Sequence, residues 1–270
     1  MKITTTFILA ALFATSVFMA CSTDKKNETN SNASTYLDTM AKEEAPIIST
    51  DTYITDNGEL NVSLLGHASL VLTYKGKIIH VDPYSEVADY SVQPKADLIL
   101  LTHEHFDHLD TAAINKIKKA DTHFISSKVV KDILGHGEAI NNGGKTVFDS
   151  IAIEAVPAYN IVNKNPEGEY YHPKGRGNGY VLTIGGKKVY IAGDTENIPE
   201  MDNLKDIYIA FLPKNLPYTM TDDMFVDAAT RVKPVYLYPY HFSDFNDKNI
   251  EKALKDTDIK ILVRPMSSKE

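Results

Sequence analysis

A buried strand that ends in a cluster of histidines and carboxylates constrains this chain more than any other feature. Residues 98–101 are a continuous apolar run, Leu-Ile-Leu-Leu, and Thr102-His103-Glu104-His105-Phe106-Asp107-His108-Leu109-Asp110 follows at once. A short apolar run bounded by polar residues predicts a strand covered on both faces. α/β scaffolds display their sites at the carboxyl ends of such strands. His103 and His105, two apart in an extended turn, can bring both imidazoles to one point, while Asp107 and His108 serve a second point nearby. Neutral imidazole and carboxylate are ligands that zinc and its first-row neighbours accept. A histidine-rich surface turn is the plain alternative, but closely spaced imidazoles and carboxylates gain little from proximity unless a metal joins them. The motif therefore points to a metal site.

The rest of the chain supplies a β-rich frame. Strands are predicted over 60–64, 70–74 and 77–81, the last two joined by Lys75-Gly76 as a hairpin. A helix over 110–119 would be capped by Asp110, and one over 128–134 would be capped by Ser127 and stopped by Gly135. Further strands are predicted over 122–125, 151–156, 180–184, 188–192, 207–212, 235–240 and 259–264. Thr221 would cap a helix with acidic residues in its first turn, ended by Lys233-Pro234, and another helix is predicted over 248–255. Residues 159–179, with Pro166, Pro173 and four glycines, read as a long irregular loop of the kind that is usually functional or mobile. The order is β-rich, then βαβ, then the same again, without a tight sequence repeat.

With 270 residues, 43% of them hydrophobic, the chain can bury a sizeable core. A net charge of −8 argues against a general nucleic-acid partner. At the amino end, Lys2 precedes an apolar stretch over 7–20, short for a membrane span but suited to a signal peptide. It ends Phe18-Met19-Ala20-Cys21, and Cys21 is the only cysteine. A small residue before Cys resembles a bacterial lipoprotein cleavage site, although Phe18 is an unusual occupant of its position. The expectation is a signal peptide over 1–21, lipid on Cys21, a polar tether over 22–52 and a catalytic domain over 53–270. The protein would then be exported and anchored in the cell envelope. An ordinary signal peptide or an uncleaved anchor are the alternatives.

His103-x-His105-x-Asp107-His108 resembles the signature of the metallo-β-lactamase superfamily. Val81-Asp82-Pro83, Gly193-Asp194-Thr195 and Tyr240-His241 match its later landmarks in order. Gly66-His67-Ala68-Ser69 is similar to the branch of L-ascorbate-6-phosphate lactonase-like enzymes and N-acyl-phosphatidylethanolamine-hydrolysing phospholipase D. The resemblance implies an α/β fold, an αββα sandwich of two mixed sheets with helices on the outer faces, its site along one edge between the sheets. It implies two divalent metal ions, zinc above all, with manganese or iron as alternatives. His103 and His105 would hold the first, Asp107, His108 and His241 the second, and Asp194 would bridge them. Zinc β-lactamases use a cysteine at the second metal; none remains here after Cys21, so lactonase, phosphodiesterase and glyoxalase branches fit better. The family's third histidine on the first metal is missing, since Ala158-Tyr159-Asn160 stands there. Either His172 folds back to supply it, or His172 is a surface loop residue, and then the first metal has fewer protein ligands and binds weakly or Asn160 contributes an oxygen.

The implied activity is metal-dependent hydrolysis by a metal-activated hydroxide, with Asp107 or Asp194 orienting it, and His67 a candidate to bind substrate or stabilise the oxyanion. Asp82 would accept a hydrogen bond from a ligand imidazole. Tyr171, Lys174, Arg176, Lys214 and Tyr218 sit in loops that can line the pocket. A lactone or other carbonyl ester is the leading substrate class. A phosphodiesterase acting on a lipid-derived head group and a non-enzymatic metal-binding envelope lipoprotein are the alternatives.

Overall fold

The computed structural model describes residues 49–242, 245 and 247–265. The expected signal peptide, Cys21 and most of the tether lie outside the described residues, among which no helix is long and apolar enough to cross a membrane. The expected tether ends too late. Strand β1 (Ser49–Thr55) already pairs with β2 (Gly58–Gly66), so residues 49–52 belong to the sheet. Its polar, threonine-rich sequence hides a strand whose solvent face is wet and whose inward Tyr53 is buried.

Two seven-stranded sheets follow one another along the chain. The first holds β1, β2, β3 (Ser69–Tyr74), β4 (Lys77–Val81), β5 (Leu98–Leu101), β6 (His123–Ser126) and β7 (Glu138–Ala139), in sequence order. The second holds β8 (Lys145–Phe148), β9 (Ile151–Ala158), β10 (Gly177–Ile184), β11 (Lys187–Ile191), β12 (Ile207–Pro213), β13 (Tyr236–Tyr240) and β14 (Lys260–Ile261). In each sheet the first four strands pair antiparallel and the last four, sharing one strand, pair parallel. The chain thus repeats one topology twice, which the sequence order suggested.

Alternation along the strands places one apolar face of each sheet against the other. Leu60, Val62, Leu72 and Ile79 meet Ile153, Leu182, Val189 and Phe211 in that shared core. The outer faces carry the helices. Ala113, Ile114 and Ile117 of α1 (Thr111–Ile117) and Val130 of α2 (Lys128–Leu134) cover the first sheet. Phe225, Ala228, Ala229 and Val232 of α3 (Asp222–Val232), with Ile250 and Leu254 of α4 (Asp247–Leu254), cover the second. The layers are therefore αββα, a mixed α/β sandwich. Asp110, Ser127 and Thr221 cap their helices as expected, each side chain accepting from backbone amides of the first turn. Asp110 also accepts from the Ser85 amide at 2.8 Å, tying the loop after β4 to the start of α1.

Two expectations shorten. The strand predicted over 259–264 reduces to Lys260–Ile261, because Arg264 turns across to Asp51 on β1, donating at 2.9 and 2.8 Å. The loop predicted over 159–179 ends at Gly177, where β10 begins. Gly179 lies so close to β11 that an added Cβ would stand 2.7 Å from the Ala192 carbonyl oxygen, so glycine there serves strand packing rather than a turn.

One buried group gives the fold a pH dependence. His80 on β4 is fully buried; its Nε2 donates to the Pro94 carbonyl at 3.0 Å and its Nδ1 has no partner. Burial pushes this imidazole down to about 4. The unfolded chain therefore binds the extra proton first as pH falls. His80's contribution is fully present above its ordinary pKa of 6.5 and is lost progressively from there toward pH 4. The loss should reach about 3 kcal/mol at pH 4. Urea titrations from pH 7 to 4 should show this slope in the parent and a flatter one in His80→Leu; equal slopes would discard the assignment.

Candidate metal centre

The carboxyl ends of β4, β5, β11 and β13 converge at one edge of the sandwich, where parallel neighbours deliver their following residues side by side. The connections β2–β3 and β9–β10 close over the same edge and bring His67 and His172. Three groups of side chains there have ligand atoms within 4.8 Å of one another: His67, Asp107, His108 and His241; His103, His105 and His172; and His103, His108 and Asp194. Every metal-ligand candidate named from the sequence falls in this cluster.

Backbone geometry at the edge is costly. Asp82, His67 and His241 adopt left-handed φ values of +41°, +51° and +49°. Such conformations cost on the order of 1 kcal/mol each for residues other than glycine and gather where function over-determines the backbone. Gly193, at φ +66°, makes the equivalent turn before Asp194; a Cβ there would stand 2.8 Å from the Asn178 carbonyl oxygen.

Hydrogen bonds define how the imidazoles face. Asp82, fully buried, accepts from the Thr102 amide at 2.8 Å, the Thr102 hydroxyl at 2.6 Å and His108 Nδ1 at 2.8 Å. The Thr102 hydroxyl proton being given to Asp82, its oxygen accepts from His103 Nδ1 at 3.0 Å. His172 Nδ1 donates to the Asn160 side-chain oxygen at 2.7 Å. Three imidazoles thus carry their protons on Nδ1 and turn the Nε2 lone pair inward. The Asn215 Nδ2 lies 3.3 Å from His241 Nδ1; with that amide turned over, its oxygen would accept the Nδ1 proton and leave the Nε2 lone pair inward as well.

The inward atoms fit a metal ion. Nε2 of His103, His108 and His241 and Oδ1 of Asp194 are buried and have no hydrogen-bond partner, an arrangement that native interiors rarely tolerate. His105 Nδ1 lies 3.2 Å from His172 Nε2; Asp194 Oδ2 lies 3.3 Å from His172 Nε2 and 3.2 Å from His241 Nε2; Asp194 Oδ1 lies 3.4 Å from His108 Nε2. Two donors each about 2.0–2.1 Å from one tetrahedral ion are separated by about 3.3 Å. The spacing is that of neighbours in a coordination shell.

Electrostatics agree. Burial alone would raise the Asp194 carboxyl, but His241 and His108 hold it well below the usual carboxylate range. Burial opposes charge on His108, yet Asp194 and Asp107 hold its imidazole well above the usual value. Burial, with His108 beside it, pushes His103 well below. The carboxylates therefore create a potential that attracts a cation, and a divalent ion satisfies it better than one proton on His108.

Residues 61–241 match the β-lactamase superfamily domain. The chain belongs to this superfamily, in its metallo-β-lactamase form. A UPF0173 metal-dependent hydrolase from Ligilactobacillus salivarius is 32% identical over 197 residues, 69% of this chain and 86% of that protein. Another from Thermoplasma acidophilum is 33% identical over 71% of this chain and 89% of its own length. Among solved structures, a metal-dependent hydrolase from Parabacteroides distasonis superposes with a TM-score of 0.78 at 48% identity, covering 81% of this chain and 99% of the other. The superfamily fold, these relatives and the fitted donor set make the chain a metal-dependent hydrolase.

Two superfamily positions were open in the sequence. His172 folds back to the cluster, and Asn160 serves it rather than replacing it: Asn160's oxygen accepts both the His172 amide at 2.9 Å and Nδ1. His67 lies beside Asp107, its Nε2 2.9 Å from Oδ2, with its ring tilted 43° against that of His241 and the centroids 3.7 Å apart. Of the suggested pocket residues, Tyr171 and Arg176 line a small cavity beside His103, His105 and His172. Lys174 instead bonds Glu200 at 2.6 Å, Lys214 pairs with Asp222 at 2.9 Å, and Tyr218 packs on Tyr171 with ring centroids 5.0 Å apart.

Glu196 escaped the sequence reading. It is fully buried and accepts from Asn160 Nδ2 at 3.0 Å and from the amides of Ile161, Val162 and Asn163 at 2.7 Å each. Two residues after Asp194, it holds the start of the loop that presents His172. Its partners are mostly backbone amides more than thirty residues away, which no motif records, and among Asp194, Thr195 and Asn197 a further polar residue gives no sign of its own.

Proposed function

We propose that this metal-dependent hydrolase opens a lactone or cleaves another carbonyl ester at a site for two divalent ions. His103, His105 and His172 would hold one ion, Asp107, His108 and His241 the other, and Asp194 would lie between them. The supporting observation is the set of buried, unpartnered Nε2 and Oδ1 atoms converging on one space. Nitrogen and carboxylate donors suit zinc, and manganese or iron next. When bound, such ions supply a water of lowered pKa and polarise the attacked oxygen. Asp107, its Oδ2 bonded to His67 and only partly buried, is placed to orient that water and take its proton. His67 in turn can release the bond to Asp107 and donate to oxygen developing charge on the substrate.

A carbonyl substrate is favoured over a phosphodiester by the cations beside the site. Arg176 pairs with Glu104, Lys174 with Glu200 and Lys214 with Asp222, so each is already committed to a carboxylate. The apolar stretch over 7–20 and Cys21 support export and lipid anchoring in the cell envelope; mass spectrometry of the mature protein should find a diacylated Cys21 at its amino end.

The test is elemental analysis followed by turnover. Two metals per chain and hydrolysis of γ-lactones or p-nitrophenyl esters, with little cleavage of bis(p-nitrophenyl) phosphate, are expected. The reverse preference would move the proposal to a phosphodiesterase. Metals without any hydrolysis would favour a binding role.

A further inference from the structure

The loops that carry the cluster also carry exposed apolar side chains in a regular relation to it. Phe106 follows His105, Ile161 follows Asn160, and Leu216 follows Asn215. Phe106 is 75% exposed and Leu216 57%, while Val162 and Tyr218 extend the same two loops with 59% and 45% exposure. Tyr170, 38% exposed, belongs to the same loop as His172, whereas Ile54, Ile133 and Val147 stand one each on β1, α2 and β8, as is ordinary for a protein surface. Five exposed apolar side chains, Phe106, Ile161, Val162, Leu216 and Tyr218, gathered on the three loops that carry or support one buried polar cluster are not ordinary.

The group is also held in place. Glu196 pins the amides of Ile161 and Val162 at 2.7 Å. The Tyr218 carbonyl accepts from Asn160 Nδ2 at 2.8 Å, its ring packs against Tyr171, and the Tyr218 and Thr219 amides return to the Asn215 carbonyl at 2.9 and 2.7 Å. Phe106 meets Tyr84 with ring centroids 6.1 Å apart. These side chains are presented to solvent by an ordered network, which lowers the entropy lost when a ligand covers them.

We infer that this collar receives the alkyl or aromatic tail of an amphiphilic small-molecule substrate whose hydrolysable carbonyl group reaches the metal centre. The inference rests on the hydrolase reading and names its substrate class. Position beside the site decides the occupant: Phe106 packs on Tyr84, whose ring centroid lies 5.7 Å from that of His67, and Tyr218 packs on Tyr171, which lines the cavity beside His172, so a molecule with its polar end at Asp107 and Asp194 finds apolar side chains on both of these loops. The cations nearby are paired, so the collar offers apolar contact rather than charge.

Straight-chain alkanoates, the product half of such a substrate, test this without turnover. Calorimetric titration of the full zinc-loaded chain with acetate, butyrate, hexanoate and octanoate, below their micelle concentrations, should show affinity rising about twofold per methylene, half the free energy of complete burial. Phe106→Ser and Leu216→Ser should flatten that rise and leave acetate binding and zinc content unchanged. Octanoate binding no better than acetate to a chain with full metal content would overturn the collar and leave the hydrolase reading standing. A chain that binds no metal would overturn that reading, and the collar with it. Dimerisation abolished by Phe106→Ser, with no chain-length dependence, would assign the surface to a second copy instead.

Discussion

Replacing Asp194 with Asn should reduce the metal content from two ions to one or none and lower kcat/KM more than about a thousandfold. That exceeds the ten- to hundredfold typical of a residue that only orients a ligand. The substitution keeps the shape of the side chain and removes its charge. Asp194 Oδ2 faces His172 and His241 at 3.3 and 3.2 Å and Oδ1 faces His108 at 3.4 Å, so one carboxylate touches both ligand groups. With the charge gone, the five candidate ligand imidazoles share a pocket whose negative balance falls to Asp107 and to Asp82 behind His108, and a second dication meets repulsion that these two only partly offset. Elemental analysis under limiting zinc decides the matter. Two firmly held ions in Asp194→Asn would remove Asp194 from between the metals.

Glu196→Ala should behave differently: one metal should stay and the other weaken. The variant strips the acceptor from three backbone amides and from the Asn160 side chain at once. Losing a charged acceptor costs about 1.5–3 kcal/mol per bond before relaxation, more than a surface loop is able to retain, so the start of the 159–176 segment should open. His172 then loses the Asn160 oxygen that sets its tautomer. We expect zinc affinity at the first position to fall about 10- to 100-fold, with faster amide exchange confined to that loop. His172→Ala should match the metal loss without the exchange. If Glu196→Ala exchanges faster but binds both metals as the parent does, His172 is not a ligand.

What the sequence revealed, it revealed where local chemistry suffices. Asp110, Ser127 and Thr221 announce their helices because a cap needs only the next three residues. The histidine motif announces its cluster because His103, His105, Asp107 and His108 occupy a single turn. Strand β1 was missed because Ser49-Thr50-Asp51-Thr52 has no apolar alternation, and its pairing with β2 comes from the tertiary frame. The start of β10 was misread because Gly177 and Gly179, chosen for close approach, look like loop residues. His172 was ambiguous and Glu196 invisible for one reason: their partners lie across a long loop, and only the fold brings them within reach.

The twofold repetition of the seven-strand topology has a mechanical consequence. His67, Asp82 and residues 102–108 come from the first repeat; His172, Asp194, Glu196 and His241 come from the second. Neither repeat owns a complete shell for either of the two proposed ions once Asp194 is counted. A bound ion is therefore a rivet through the seam, and docking of the two sheets and occupancy of the centre become a single equilibrium. Free zinc a thousandfold above its dissociation constant would add about 4 kcal/mol to the cohesion of the seam. Chelation should loosen the sandwich from this edge inward. A chain severed in the turn at 141–144, between β7 and β8, should reassemble from its two fragments only when metal is supplied.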